Sequence, residues 1–137
     1  MAVVEELLRK EEDGAISFGN HKLENKAKLE DFEYNGDLYK VKTYKTMTKL
    51  EKNGMFVYES VPGTSVIGFA EDEKGIRFTV EGDEDAQITV GLMDDTEYEV
   101  FIADKSIGKM KTGLGGKLSM SVELMAAGEV PVKIIKA

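Results

Sequence analysis

The chain has 137 residues, a formal net charge of −8, one histidine, no cysteine and no tryptophan. Its length suffices for one domain with a real core, and the missing thiols exclude a disulfide framework, thiol catalysis and a Cys/His zinc site. The acidic balance argues against binding to nucleic acid or to an anionic membrane surface.

The N-terminal segment, residues 1–11, reads as a short helix. Val3, Val4, Leu7 and Leu8 recur at helical spacing and form one apolar stripe, with Glu5, Glu6, Lys10 and Glu11 elsewhere. An isolated helix shorter than about 12–15 residues is marginal in water, so the stripe must dock. It docks either on its own domain or on a neighbouring subunit, which makes these four residues interface candidates. Acids inside the apolar run and the lack of a basic n-region argue against a signal peptide. No window approaches the roughly twenty apolar residues of a membrane helix. The expected location is the cytoplasm.

After Asp13-Gly14 the pattern becomes β, with Ala15–Phe18 a short strand and His21–Leu29 a charged loop or poor helix. Two Asn-Gly pairs follow, each flanked by alternating runs. Asn35-Gly36 separates Asp31–Tyr34 from Asp37–Lys42, and Asn53-Gly54 separates Met47–Lys52 from Met55–Glu59. Asn and Gly tolerate the positive φ that a type I′ turn needs at both central positions, so each pair predicts a hairpin and the two together a meander. Counting from the second turn pairs Leu50 with Val57 and Glu51 with Phe56. Met47 and Leu50 also fit the start of a helical turn.

Val61-Pro62-Gly63-Thr64 is a turn before Ser65–Phe69. Further strands are predicted at Ile76–Glu81, Ala86–Leu92, Glu97–Ala103, Ile107–Lys111, Lys117–Leu124 and Val130–Ile135, separated by Gly- and Asp-rich turns. Short strands at this spacing predict an all-β fold, an antiparallel sandwich or meander of roughly eight to ten strands, in one domain over 1–137.

Few residues offer chemistry. His21 lacks a Gly-x-Ser-x-Gly elbow and sits among charges, so it reads as a surface histidine. Gly113-Leu114-Gly115-Gly116-Lys117 lacks the Walker spacing and reads as a turn. The acidic clusters Glu71-Asp72-Glu73, Asp83-Glu84-Asp85 and Asp94-Asp95 fall in turns, where solvated side chains account for them without Ca²⁺ or glycosidase chemistry. Lys40, Lys42, Lys45, Lys49 and Lys52 make a basic segment. Period two places Lys40 and Lys42 opposite Tyr39 and Val41, and Tyr39, Tyr44 and Tyr58 with these lysines form a candidate ligand face for a glycan or an acidic protein partner.

Leu92, Thr96 and Tyr98 open an alternating strand in a pattern similar to the tyrosine corner of fibronectin type III and related Ig-like modules. That resemblance covers roughly residues 75–137 and implies a sandwich half in which the tyrosine hydroxyl bonds back upstream. The usual tryptophan is missing. The whole chain also resembles small proteins of Gram-positive anaerobes that carry an automatic "endosialidase" label. The resemblance rests on the runs Glu51–Thr64 (Glu-Lys-Asn-Gly-Met-Phe-Val-Tyr-Glu-Ser-Val-Pro-Gly-Thr) and Val80–Thr89. A propeller sialidase clamps its substrate carboxylate with three arginines, and this chain has only Arg9 and Arg77. The reading is therefore a non-catalytic structural or interaction module acting as a homo-oligomer, with no cofactor or metal. The alternative is a carbohydrate-binding module, and a small hydrolase using paired carboxylates ranks last.

Overall fold

A computed structural model describes residues 3–137, Asp13 by its backbone alone. Both Asn-Gly pairs adopt positive φ at both residues, 53° and 81° at Asn35-Gly36, 53° and 77° at Asn53-Gly54. The first joins β3 (Ala27–Tyr34) to β4 (Asp37–Thr43), and the second joins β5 (Thr48–Lys52) to β6 (Met55–Val61). With β4 paired to β5, these strands form the expected meander.

The remaining strands are β1 (Leu8–Lys10), β2 (Ile16–Phe18), β7 (Ser65–Asp72), β8 (Gly75–Glu81), β9 (Ala86–Gly91), β10 (Glu97–Ile102), β11 (Lys105–Lys111), β12 (Lys117–Val122) and β13 (Val130–Lys136). They complete two antiparallel sheets facing one another across a shared core. One runs β1-β2-β7-β8-β13-β10-β11, the other β12-β9-β6-β5-β4-β3. Residues 75–137 supply β8–β13 to both sheets, where they pair directly with β6 and β7 of the N-terminal half.

Alternation along the strands fills the core. Val41, Leu50, Tyr58, Ile88, Val90, Leu118 and Met120 point inward from the six-stranded sheet, and Phe18, Val66, Phe78, Val100, Val132 and Ile134 from the other. Tyr58 inserts between Phe18 and Phe78 at centroid distances of 5.2 and 5.7 Å, both edge-on, while Phe69 stacks on Phe78. This geometry suits the ring quadrupoles.

Three expectations are corrected. The N-terminal helix is absent: Glu5 and Glu6 form a turn, Leu7 sits at φ 73°, and no L-residue helix interior adopts that angle. Val4 and Gly19 bond through the Val4 N–H, the Gly19 N–H returns to the Leu7 carbonyl, and the chain then pairs as β1 with β2. Met1 and Ala2, where the helix was expected to begin, lie outside the described residues. The strand count is thirteen among the described residues, not eight to ten: nearly every alternating run pairs, the N-terminal segment adds β1, and the charged Ala27–Glu30 stretch lengthens β3. Glu51 faces Phe56 as counted, but Leu50 faces Tyr58 because a bulge at Val57 shifts the register.

Candidate functional site

The chain crosses between sheets after β2, β6 and β8, and these crossings gather polar side chains at one pole. The Asn20 N–H donates to Thr43 Oγ1 at 2.8 Å, which lies 2.8 Å from Thr48 Oγ1, and Thr48 donates to the Thr64 carbonyl at 2.8 Å. The Thr64 hydroxyl contacts Ser60 Oγ at 2.7 Å and the Tyr58 hydroxyl at 2.8 Å. Every one of these side chains is buried. The network satisfies backbone groups that a buried crossing would otherwise strand.

His21 belongs to this pole, and its surface placement is corrected: the residue is 2 % exposed. Ser65 Oγ accepts the His21 backbone N–H at 3.3 Å and lies 2.7 Å from Nδ1. The other ring nitrogen, Nε2, has no hydrogen-bond partner and faces Asp83 Oδ1 at 3.7 Å. Burial lowers the pKa of the ring, against the pull of Asp83, with Lys22 lowering it further and Glu81 raising it. Serine, histidine and aspartate thus stand in the connectivity of a hydrolytic triad. Ser65 is fully buried, however, and none of three cavities found among the described residues is lined by Ser65, His21 or Asp83. The arrangement fastens the β2–β3 crossing to β7 and to the β8–β9 turn.

The acidic turns serve as turn scaffolds. Asp85 accepts the Leu124 and Met125 N–H groups at 2.9 and 3.0 Å, Asp72 accepts those of Lys74 and Gly75, and Asp83 takes the Lys22 ammonium at 2.6 Å. Among the described residues no group of three or more His, Asp or Glu is placed to hold a metal ion.

The tyrosine and lysine candidates do not share a face. Tyr58 lies in the core, Tyr39 faces inward and is half-buried, and Tyr44 is half-buried at the β4–β5 turn. Lys40 and Lys42 point outward from β4, as period two requires. Acids counter the segment: Lys40 lies 3.8 Å from Glu30, Lys49 3.9 Å from Glu51, and Lys45 2.7 Å from Glu24. Of the N-terminal candidates, Val4 and Leu8 are buried in the core, and Val3 and Leu7 are half-buried.

At the opposite pole the turns after β5, β7, β9 and β11 surround a groove of about 730 Å³, with Met55, Phe56, Leu92 and Met93 among its walls and Glu73, Asp94 and Lys136 at its rim. Tyr98 braces it: the ring is buried and its hydroxyl accepts the Met93 N–H at 3.2 Å. A smaller hollow of about 240 Å³ lies on the seven-stranded sheet near Arg77, Phe101 and Lys133.

The two lateral sides differ most. On one, β1 and β3 are closed against each other. The Tyr34 hydroxyl donates to the Glu11 carbonyl at 3.2 Å, Lys10 Nζ lies over the Phe32 and Tyr34 rings at 5.9 and 5.6 Å, and β3 is bulged at Asp31. On the other, β11 and β12 end their sheets, with no strand beyond them among the described residues. β11 is bulged at Ile107 and carries Lys105, Lys109 and Lys111. β12 keeps unbroken register with β9 from Lys117 to Val122. These edge features gave no sequence signal beyond alternation, because which strand ends a sheet depends on pairing between distant segments. Comparison of the chain with protein-family models, curated proteins and solved structures gives no match.

Proposed function

We propose that this chain is a non-catalytic interaction module that works as a homo-oligomer in the cytoplasm. The asymmetry of its lateral sides carries the reading. Exposed strand edges recruit further strands unless they are short, bulged or charged, and the β1/β3 side is guarded in all three ways while β12 is not. The sealed Ser65–His21 pair supports a non-catalytic role, since substrate must reach a nucleophile. No helix among the described residues is long and apolar enough to cross a membrane. Glycan stacking through Tyr39, Tyr44 and Tyr58 is disfavoured because they present no common exposed surface.

Light scattering behind a sizing column tests this. The expected mass is a defined multiple of the 15.1 kDa chain. A single-copy mass at the highest attainable concentration overturns the homo-oligomer.

A further inference from the structure

We infer that the edge of β12 is a self-pairing site that takes the same strand of a second copy, antiparallel, about a two-fold axis at Met120. The inference rests on the homo-oligomer reading above and names its interface.

The backbone sets which groups are available. The Leu92 N–H donates to the Gly116 carbonyl at 2.8 Å, which marks Gly116 and Leu92 as a hydrogen-bonded pair at the head of the β9–β12 ladder. In antiparallel sheets bonded and non-bonded pairs alternate. Leu118, Met120 and Val122 therefore bond inward to β9, while Lys117, Ser119 and Ser121 turn their N–H and C=O groups outward. Those groups belong to residues whose side chains lie on the outer face: Ser119 Oγ contacts Thr89 Oγ1 at 2.8 Å, and the Ser121 hydroxyl donates to Gln87 at 2.8 Å. A strand arriving here meets open ladder groups, two serines and no bulge, with Lys117 at one end, its ammonium over the Phe56 ring at 4.6 Å.

Three observations favour a second copy in one register. With the axis at Met120, Ser119 faces Ser121 of the second copy, and Lys117 faces Glu123 of the second copy, an opposite-charge pair at each end. Shifting the axis to Ser119 sets Lys117 against Ser121 instead and loses both charge pairs. Second, the same axis sets Leu118 opposite Val122 on the inner face, so both apolar layers run on without a break. Third, two exposed apolar residues flank the strand: Leu114 before it is 97 % exposed and Met125 after it 64 %. The two-fold brings the Leu114 end of one copy to the Met125 end of the other, where each can cover the other. The bulge and lysines of β11 confine the pairing to the six-stranded sheet.

Two sets of variants test the site by mass and dissociation constant. Ser119→Pro removes one outward N–H and no bond to β9, a position where an edge strand tolerates proline; the expected result is a folded, single-copy chain. Lys117→Glu and Glu123→Lys each set like charges opposite one another and are expected to weaken association at least about tenfold, and the double swap to restore it. A dimer unchanged in Ser119→Pro overturns the inference while leaving the homo-oligomer reading in place; a wild-type chain of single-copy mass overturns both. Should Ser119→Pro fail to fold, the charge swap decides: no loss in the single variants, or no recovery in the double, overturns the register.

Discussion

An imidazole ring sealed beside a serine hydroxyl resists protonation, because water no longer solvates its charge. The groups facing His21 are Ser65 from β7, Glu81 at the end of β8, Asp83 from the β8–β9 turn, and its own neighbour Lys22. Burial dominates among them and holds the ring below its ordinary value of 6.5. The unfolded chain takes up this proton near 6.5 while the folded chain does not, so falling pH favours unfolding. The contribution is fully present above the ordinary value and is lost as pH drops through it toward the folded one. Thermal melts should therefore show Tm declining between about pH 7 and pH 5. Asp83 stays ionised through that window, since the Lys22 ammonium holds its carboxyl below its usual range. Replacement His21→Asn keeps a polar side chain able to pair with the Ser65 hydroxyl and removes the titration. Its Tm should start lower at pH 7 and stay flat over the window; a slope equal to that of the wild type would show that other groups set it.

Elements repeat the contrast between what neighbours in sequence dictate and what distant partners impose. Hairpins were legible because Asn35-Gly36 and Asn53-Gly54 determine their turns locally. The N-terminal segment misled because Val4 and Leu8 lie four apart, a spacing that a helix and a turn followed by a strand can both aim at one core. Pairing with Gly19 and β2 decided between them, and neither partner is visible locally. His21 misled likewise: Lys22 and Glu24 beside it are exposed, while the ring folds under Ser65, far along the chain. The bulge at Val57 lets Tyr58 reach the phenylalanine cluster, and no turn rule announces it. The same burial gives a prediction for β1. Leu8 is buried in the core, so Leu8→Ala should cost about 3 kcal/mol in denaturant unfolding. It should leave the mass in solution unchanged, because β1 closes its own sandwich and lies on the side away from β12. A variant that changed mass would return the N-terminal stripe to the interface.

For the whole molecule, self-pairing and stability are linked by mass action. A folded dimer still populated at the unfolding transition gains stability as concentration rises, since only the native state binds the second copy. Each tenfold rise in concentration is worth about 1.4 kcal/mol per dimer, shared between two copies. For a domain of this size that shift corresponds to about 2–3 °C in Tm. The net charge of −8 on each copy opposes approach at long range, and the effect is screened beyond about 8 Å at physiological ionic strength. Contact then depends on the short-range terms at β12: ladder hydrogen bonds, a continued apolar layer and the Lys117–Glu123 pairs. Melts of the wild type across a hundredfold concentration range should rise in step, and Ser119→Pro should melt at one temperature throughout. A concentration-independent wild-type Tm would mean that no dimer is populated at the unfolding transition, and would count against self-pairing at β12.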